Sequence, residues 1–133
     1  MNEKEKIIDD LRSQLIDKAE FALIFGSFAK DSFNNSSDID VAVYLKSEFL
    51  DRDKRTEITK NLILHLKRDI DIIFLNDSDL IISMQVIANG ELIFLNDESK
   101  FILYKAGVLS RYPDFKMSRK IIEDNMLNGR IHV

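Results

Sequence analysis

Two aspartates separated by one residue, and a third on a later apolar segment, are the side chains in this sequence best suited to chemistry. Asp38 and Asp40 flank Ile39, and Asp71 stands within the run Ile70 to Leu75. On a β-strand, residues two apart point to the same face and are separated by roughly 6.5 Å. Such a pair can hold one cation or two neighbouring cations. The spacing therefore predicts a carboxylate site for divalent metal ions.

The donor types also predict which metal this site takes. Three uncompensated carboxylates repel one another by several kcal/mol per pair at ~4 Å and intermediate dielectric, so a cation is expected among them. The chain has no cysteine and only two histidines, His65 and His132, which excludes thiolate sites and makes a histidine-rich site nearly impossible. An all-oxygen set favours Mg²⁺ or Mn²⁺, and Mg²⁺ commonly completes its shell with water and substrate phosphates.

A glycine-serine pair predicts an anion site beside the carboxylates. The apolar run Phe21 to Phe25 is typical of a strand buried on both faces, and Gly26 ends it in a sharp turn. A helix beginning at Ser27 would present backbone N–H groups and a hydroxyl to anionic oxygens. Lys30 lies one turn further on. We therefore predict that Gly26, Ser27 and Lys30 bind the triphosphate of a nucleotide.

The rest of the pattern predicts the elements that position these residues. Apolar residues at helical spacing predict a first helix along Ile7, Ile8, Leu11, Leu15 and Ala19, and a second along Ile58, Leu62 and Leu66. Further helices are predicted over Leu80 to Ala88, capped by Ser78 or Asp79 and ended by Asn89-Gly90, and over Phe101 to Leu127 with a break at Pro113. Lys30 to Ser37 is predicted to be a loop, and the strands are predicted at Phe21 to Phe25, Asp38 to Leu45, Ile70 to Leu75 and Glu91 to Leu95. This order predicts an α/β (α+β) domain, a small mixed β-sheet flanked by helices.

Composition sets limits on the function. The chain has 133 residues, 45% hydrophobic and 32% charged, with a formal net charge of −4, which predicts one globular domain over residues 1–133. The acidic balance argues against general nucleic-acid binding. The charged amino terminus does not match a signal peptide, and no apolar stretch is long enough to span a membrane. We expect a cytoplasmic protein.

These residues resemble the DNA polymerase β-like nucleotidyltransferases, whose motif is Gly-Ser, a spacer, Asp-x-Asp and a later acidic residue between apolar neighbours. The stretch GSFAKDSFNNSSDIDVAV matches that motif, and IDIIFL supplies its third element at Asp71. The short length and the segments VIANGELIF and FILYKAGVLSRYPDFK make the chain most similar to the minimal nucleotidyltransferases, so the resemblance covers nearly all of it.

The resemblance implies a reaction and a partner. Asp38 and Asp40 would hold two Mg²⁺ ions, Asp71 would ligate the ion nearer the acceptor and help to deprotonate it, and Ser27 with the Gly26 backbone would bind the β- and γ-phosphates of ATP. Many such proteins are antitoxins that transfer AMP to a tyrosine of a HEPN-domain toxin, which would form a hetero-oligomer with this chain. Two alternatives stay open, namely transfer to a small hydroxylated molecule such as an antibiotic, and a non-catalytic antitoxin that acts by stoichiometric binding.

One residue competes with Asp71 for the third position. Asp69 alternates onto the same face of the predicted strand, but it follows Lys67 and Arg68 at the strand's start. A surface ion pair is the ordinary explanation of such a residue. We therefore predict that Asp71, rather than Asp69, completes the site.

Overall fold

Four strands form one mixed sheet in the order β3-β2-β1-β4 in this computed structural model, which describes residues 2–26 and 38–111. The strands are β1 (Ala19–Phe25), β2 (Ile39–Leu45), β3 (Ile70–Phe74) and β4 (Glu91–Leu95). The helices are α1 (Glu3–Leu15), α2 (Arg52–Leu66), α3 (Leu80–Asn89) and α4 (Glu98–Ser110), with a short 3₁₀ helix at Ser47–Phe49. β1 runs antiparallel to β2 and β4, whereas β2 and β3 are parallel. The architecture confirms the predicted α/β (α+β) class.

The two faces of the sheet are covered by different helices. Ile39, Val41, Val43 and Leu45 of β2 pack with buried residues of α1 and α2. The opposite face carries Ala42 and Tyr44, which pack with residues of α3 and α4. This alternation agrees with strand geometry, in which successive side chains point to opposite sides of the sheet. It also places the even-numbered residues of β2 on the side covered by α3 and α4.

Side-chain caps and close contacts fix both ends of α3. The Asp79 carboxylate accepts a hydrogen bond of 2.8 Å from the backbone N–H of Ile82, so Asp79 is the N-cap. The hydroxyl of Ser78 instead forms a hydrogen bond with that of Ser83. At the other end, a Cβ at position 90 would lie 2.5 Å from the carbonyl oxygen of Val86. Gly90 therefore allows β4 to start directly against the end of α3.

The end of α1 and the start of α4 differ most from the sequence-based expectations, whereas the boundaries predicted for the four strands and for α3 lie within two residues of those observed. Ala19 was predicted to continue the first helix, but α1 ends at Leu15 and Ala19 pairs with Leu45 as the first residue of β1. α4 begins at Glu98 rather than at Phe101, because the Asp97 carboxylate accepts a hydrogen bond from the N–H of Lys100. The predicted loop at 30–37 and the helical segment beyond residue 111 lie outside the described residues.

No helix within the two described ranges combines the length and the apolar character that a membrane crossing requires. His65 lies on α2 and is exposed to solvent.

Candidate active site

The parallel pairing of β2 with β3 brings two of the predicted carboxylates side by side. Asp40 of β2 is the register partner of Asp71 of β3, directly after the pair Ile39 and Ile70. Adjacent strands lie about 4.8 Å apart, and paired residues project from the same face. The two aspartates therefore share the side of the sheet that α3 and α4 cover. Their position is the end at which both strands begin.

Asp38 and Asp69 lie one step further out at the same end of the sheet. The N–H of Ile39 donates a hydrogen bond of 3.3 Å to the carbonyl oxygen of Asp69, and Asp38 and Asp69 directly precede the first register pair, Ile39 and Ile70. Asp38, Asp69 and Asp71 are exposed, whereas Asp40 is half-buried. Strand alternation places Asp40 and Asp71 on the same side of the sheet, and an outward continuation of both strands would place Asp38 and Asp69 there as well.

The electrostatics distinguish Asp71 from Asp69. Partial burial raises the pKa of the Asp40 carboxyl above its usual value, and the negative charges of Asp71 and then Asp38 raise it further. The groups whose charge acts on Asp40 are thus the two aspartates predicted to share its site. A carboxylate surrounded in this way is stabilised by a bound cation, which relieves the repulsion that raises its pKa.

A glycine turn closes the site on the side of β1. Phe25, the last residue of β1, pairs with Asp40, so Gly26 lies directly beyond that carboxylate. Gly26 adopts a left-handed backbone conformation with φ of 73°, and a Cβ there would meet the Asp40 Oδ2 atom. Glycine is therefore required both by the backbone conformation and by the space. Ser27 and Lys30, predicted to bind phosphate, lie outside the described residues.

The carboxylates fit the chemistry of Mg²⁺ without forming a closed cage. Within 2–26 and 38–111, no three or more side chains of His, Asp or Glu are grouped so as to hold a metal ion. Protein sites for Mg²⁺ commonly use one or two carboxylates, and water and substrate phosphates supply the other ligands. Asp40 and Asp71 are hard oxygen donors on a rigid pair of strands, and they repel each other when no cation is present. The donor set therefore fits Mg²⁺ delivered together with a nucleotide.

A cavity that the sequence did not predict opens beside this site on the same side of the sheet. Its volume is about 290 Å³, and its walls are formed by Leu23, Ile87, Gly90, Glu91, Leu92, Phe101 and Lys105. The residues come from β1, α3, β4 and α4 and from the junction between α3 and β4. No motif marks such a cavity, because it depends on how four distant segments pack together.

The family of this chain follows from its sequence as well as from its fold. A family model described as "Polymerase beta, Nucleotidyltransferase" matches residues 5–99, which include Gly26, Asp38, Asp40 and Asp71. This chain belongs to the polymerase β-type nucleotidyltransferase family.

The chain is also similar to a named relative and to two solved structures. The chain is 31% identical over 126 residues to the protein adenylyltransferase MntA of Shewanella oneidensis, and the match covers 94% of this chain and 88% of the relative. It also matches a crystal structure of a toxin–antitoxin with AMP-PNP at 26% identity and a TM-score of 0.67, covering 95% of this chain and 99% of that one. A structure of a toxin–antitoxin MntA–HpeT mutant with two aspartate-to-glutamate changes matches at 25% identity and a TM-score of 0.65, covering 96% of this chain and 99% of that one.

Proposed function

We propose that this chain transfers AMP from ATP to a hydroxyl group of a partner protein, and that it acts as the antitoxin of a toxin–antitoxin pair. The observation that carries the proposal is the register of Asp40 with Asp71 on parallel strands, closed by the Gly26 turn. The similarity to a protein adenylyltransferase over 94% of the chain supports this reaction. The whole of residues 1–133 would act as one minimal nucleotidyltransferase domain, and we expect it in the cytoplasm.

The proposed reaction is an in-line displacement at the α-phosphorus of ATP. The acceptor oxygen forms a bond to that phosphorus, the bond to the bridging oxygen of the β-phosphate breaks, and pyrophosphate leaves with the electron pair. Asp71 is the carboxylate nearer the acceptor in this proposal and takes part in removing the hydroxyl proton. Gly26, Ser27 and Lys30 hold the triphosphate so that the α-phosphorus faces the acceptor.

Asp38, Asp40 and Asp71 would hold two Mg²⁺ ions in this proposal. When bound, the ions neutralise charge on the entering and the departing oxygens. Asp40 contributes by its position, since it is fixed between β1 and β3 and lies beneath the Gly26 turn. The strands keep the carboxylates oriented before any substrate arrives, which lowers the reorganisation needed for reaction.

The proposed acceptor is a tyrosine hydroxyl of a HEPN-type toxin. A solved structure similar to this chain is that of a toxin–antitoxin with AMP-PNP, and the relative at 31% identity is named for protein adenylylation. Asp38 and Asp71 are exposed, so a second protein can present a side chain to them. The partner and this chain would form a hetero-oligomer.

Radiolabelled ATP tests this function directly. The chain is co-purified with its HEPN-domain partner and incubated with Mg²⁺ and ATP that carries the label on either the α- or the γ-phosphate. Nucleotidyl transfer predicts label on the partner from the α-position only, and none after a chelator removes Mg²⁺. Label from the γ-position would instead indicate phosphoryl transfer and contradict the proposal.

A double variant separates catalysis from stoichiometric binding. Asp38→Asn with Asp40→Asn is expected to abolish labelling and the protection of cells, while the complex with the partner still forms. Undiminished protection by this variant would favour the non-catalytic antitoxin. A panel of small hydroxylated acceptors in the same assay tests the antibiotic alternative.

A further inference from the structure

We propose that a cavity between α4 and the carboxyl ends of β2 and β3 binds a small carboxylate with a flat apolar body. We call this space the α4 cavity. It measures about 500 Å³, within the usual range for ligand sites, and its walls include Tyr44, Ser78, Tyr104, Gly107 and Arg111. Tyr44 is four residues from Asp40 along β2, a distance of roughly 13 Å. The α4 cavity is therefore separate from the aspartates, and the inference does not depend on the proposed nucleotidyl transfer.

A buried hydroxyl group in the wall of the α4 cavity needs a hydrogen-bond partner. Within residues 2–26 and 38–111, no group donates to or accepts from the hydroxyl of Tyr104. Packing holds its ring, whose centroid lies 5.7 Å from that of Phe21 and 5.4 Å from that of Tyr44. A buried polar group without a partner destabilises a fold, and such groups are rare in native proteins. A ligand oxygen in the α4 cavity would give this hydroxyl a partner.

Gly107 keeps the α4 cavity open although glycine destabilises a helix. It lies within α4, where only proline would be less favourable. A Cβ at this position would meet nothing within 4 Å, so packing does not require glycine. Positions 104, 107 and 111 share one face of the helix, and a side chain at 107 would extend between Tyr104 and Arg111. Local sequence preferences are commonly violated at functional sites, and a ligand in this space explains the glycine.

The charges at the α4 cavity favour an anion. The Nε atom of Arg111 donates a hydrogen bond of 3.2 Å to the carbonyl oxygen of Gly107. Among the described residues, no carboxylate forms an ion pair with this guanidinium. Asp77 also lines the cavity, but its Oδ1 atom lies 2.9 Å from the NH1 atom of Arg55. The charge available to a ligand is therefore that of Arg111, and a guanidinium can bind a carboxylate through two parallel hydrogen bonds.

The remaining wall of the α4 cavity fits a flat apolar group. The rings of Tyr44 and Tyr104 stand at 62° to each other, and aromatic rings favour such edge-to-face packing. Leu75 and Leu103 add aliphatic surface. Leu103 is 71% exposed, so a ligand beside it would cover apolar surface. This combination of surfaces and charge indicates an aryl monocarboxylate.

Phenylacetate is the probe, and phenylacetamide is its neutral counterpart of the same shape. Calorimetry uses the full chain with a chelator and without nucleotide, so that the carboxylate site takes no part. We expect phenylacetate to bind with a Kd of about 1 mM or below, the range of a ligand with about ten non-hydrogen atoms. Phenylacetamide and inorganic phosphate are each expected to bind at least about tenfold more weakly, because the first lacks the charge and the second lacks the ring.

Two pairs of variants test the α4 cavity. Gly107→Leu fills it and should weaken phenylacetate binding by about tenfold or more, whereas Gly107→Ala adds one methyl group and should stay within about threefold. Both replacements favour the helix, so a folding defect would not explain the loss. Arg111→Met should also weaken binding by about tenfold. Its matched control is Lys105→Met, which removes a charge from the same helix but from the wall of a different cavity.

Tyr104→Phe has two opposite expected effects. Removal of the unpartnered hydroxyl should raise the melting temperature of the free protein by about 2–4 °C. The same change should weaken phenylacetate binding by about fivefold, because a hydrogen bond to the ligand is lost. A residue with a purely structural role would not change stability and affinity in this combination.

Four results would overturn the inference. They are no phenylacetate binding by the full chain, equal binding of phenylacetate and phenylacetamide, tighter binding of phosphate than of phenylacetate, and unchanged phenylacetate binding in Gly107→Leu. None of them bears on AMP transfer, which is measured separately with labelled ATP and Mg²⁺.

Discussion

Gly26 is the residue at which backbone conformation and active-site geometry are most tightly linked. Its φ of 73° is unfavourable for any residue with a side chain, and a Cβ would meet the Asp40 carboxylate. We expect Gly26→Ala to lower the free energy of unfolding by at least ~1–2 kcal/mol, the usual penalty of the left-handed conformation, and to weaken nucleotide binding. Chemical denaturation measures the first effect and calorimetry the second.

Gly107 provides the matched control for that substitution. It lies within α4, and a Cβ at this position would meet nothing within 4 Å. Gly107→Ala should therefore stabilise the protein by about 0.5–1 kcal/mol, because alanine loses less conformational freedom in a helix. If Gly26→Ala were as stable as the parent, the close approach of Gly26 to Asp40 would be contradicted.

The raised pKa of Asp40 predicts a pH-dependent stability in the absence of divalent cations. Burial and the charges of Asp71 and Asp38 raise this pKa above the usual 3.8, so the folded protein binds the proton more tightly than the unfolded chain does. The contribution of Asp40 to the free energy of unfolding therefore falls as the pH rises from about 3.8 through the raised pKa. Asp40→Asn removes this titration.

Denaturation of both proteins across this pH range checks the sign. Asp40→Asn is expected to become more stable than the parent as the pH rises above 3.8, and the two should converge at lower pH. Added Mg²⁺ should reduce this advantage, because a cation stabilises the charged carboxylate of the parent. A stability difference that is independent of pH would contradict the described cluster.

At the scale of elements, the N-cap of α3 holds one wall of the site region in place. The Asp79 carboxylate accepts a hydrogen bond from the N–H of Ile82, and the same helix carries Ile87, which lines the cavity beside the carboxylates. We expect Asp79→Ala to lower the free energy of unfolding by about 0.5–2 kcal/mol, with Asp79→Asn close to the parent. Urea denaturation measures both variants, and equal stability of all three proteins would contradict the capping role.

Periodicity in the sequence was sufficient to predict most of these elements. Alternation along β2 placed Asp38 and Asp40 on one face, and the structure has the same alternation. Spacing alone was less reliable at the end of α1, where Ala19 continued the helical repeat although it is buried in β1. A buried position in a strand can match a helical repeat by coincidence, since burial by itself does not identify the element.

The relation between strands was harder to predict than the strands themselves. Asp69 and Asp71 alternate onto the same face of the predicted strand, so periodicity could not choose between them. The pairing of Asp71 with Asp40 depends on the register between β2 and β3, which are separated in sequence by α2. The space that excludes a Cβ at Gly26, and the cavity between β1, β4 and two helices, likewise depend on tertiary packing.

At the scale of the whole molecule, the carboxylates lie at one end of a three-layer structure. α1 and α2 cover one face of the sheet. α3 and α4 cover part of the other face, which is the face that carries the acidic residues. The chain has a formal net charge of −4, and a triphosphate would bring further negative charge to the aspartates. Charge repulsion therefore predicts that nucleotide binding depends strictly on a divalent cation.

Calorimetric titration of ATP in the presence and absence of Mg²⁺ tests the central claim most directly. The parent chain and Asp69→Asn are expected to bind ATP with Mg²⁺ and not without it, whereas Asp40→Asn and Asp71→Asn should lose most of this binding. Asp69→Asn is the matched control, since it removes a charge from the same strand end. ATP binding that needs no divalent ion, or a loss of binding in Asp69→Asn but not in Asp71→Asn, would contradict the account.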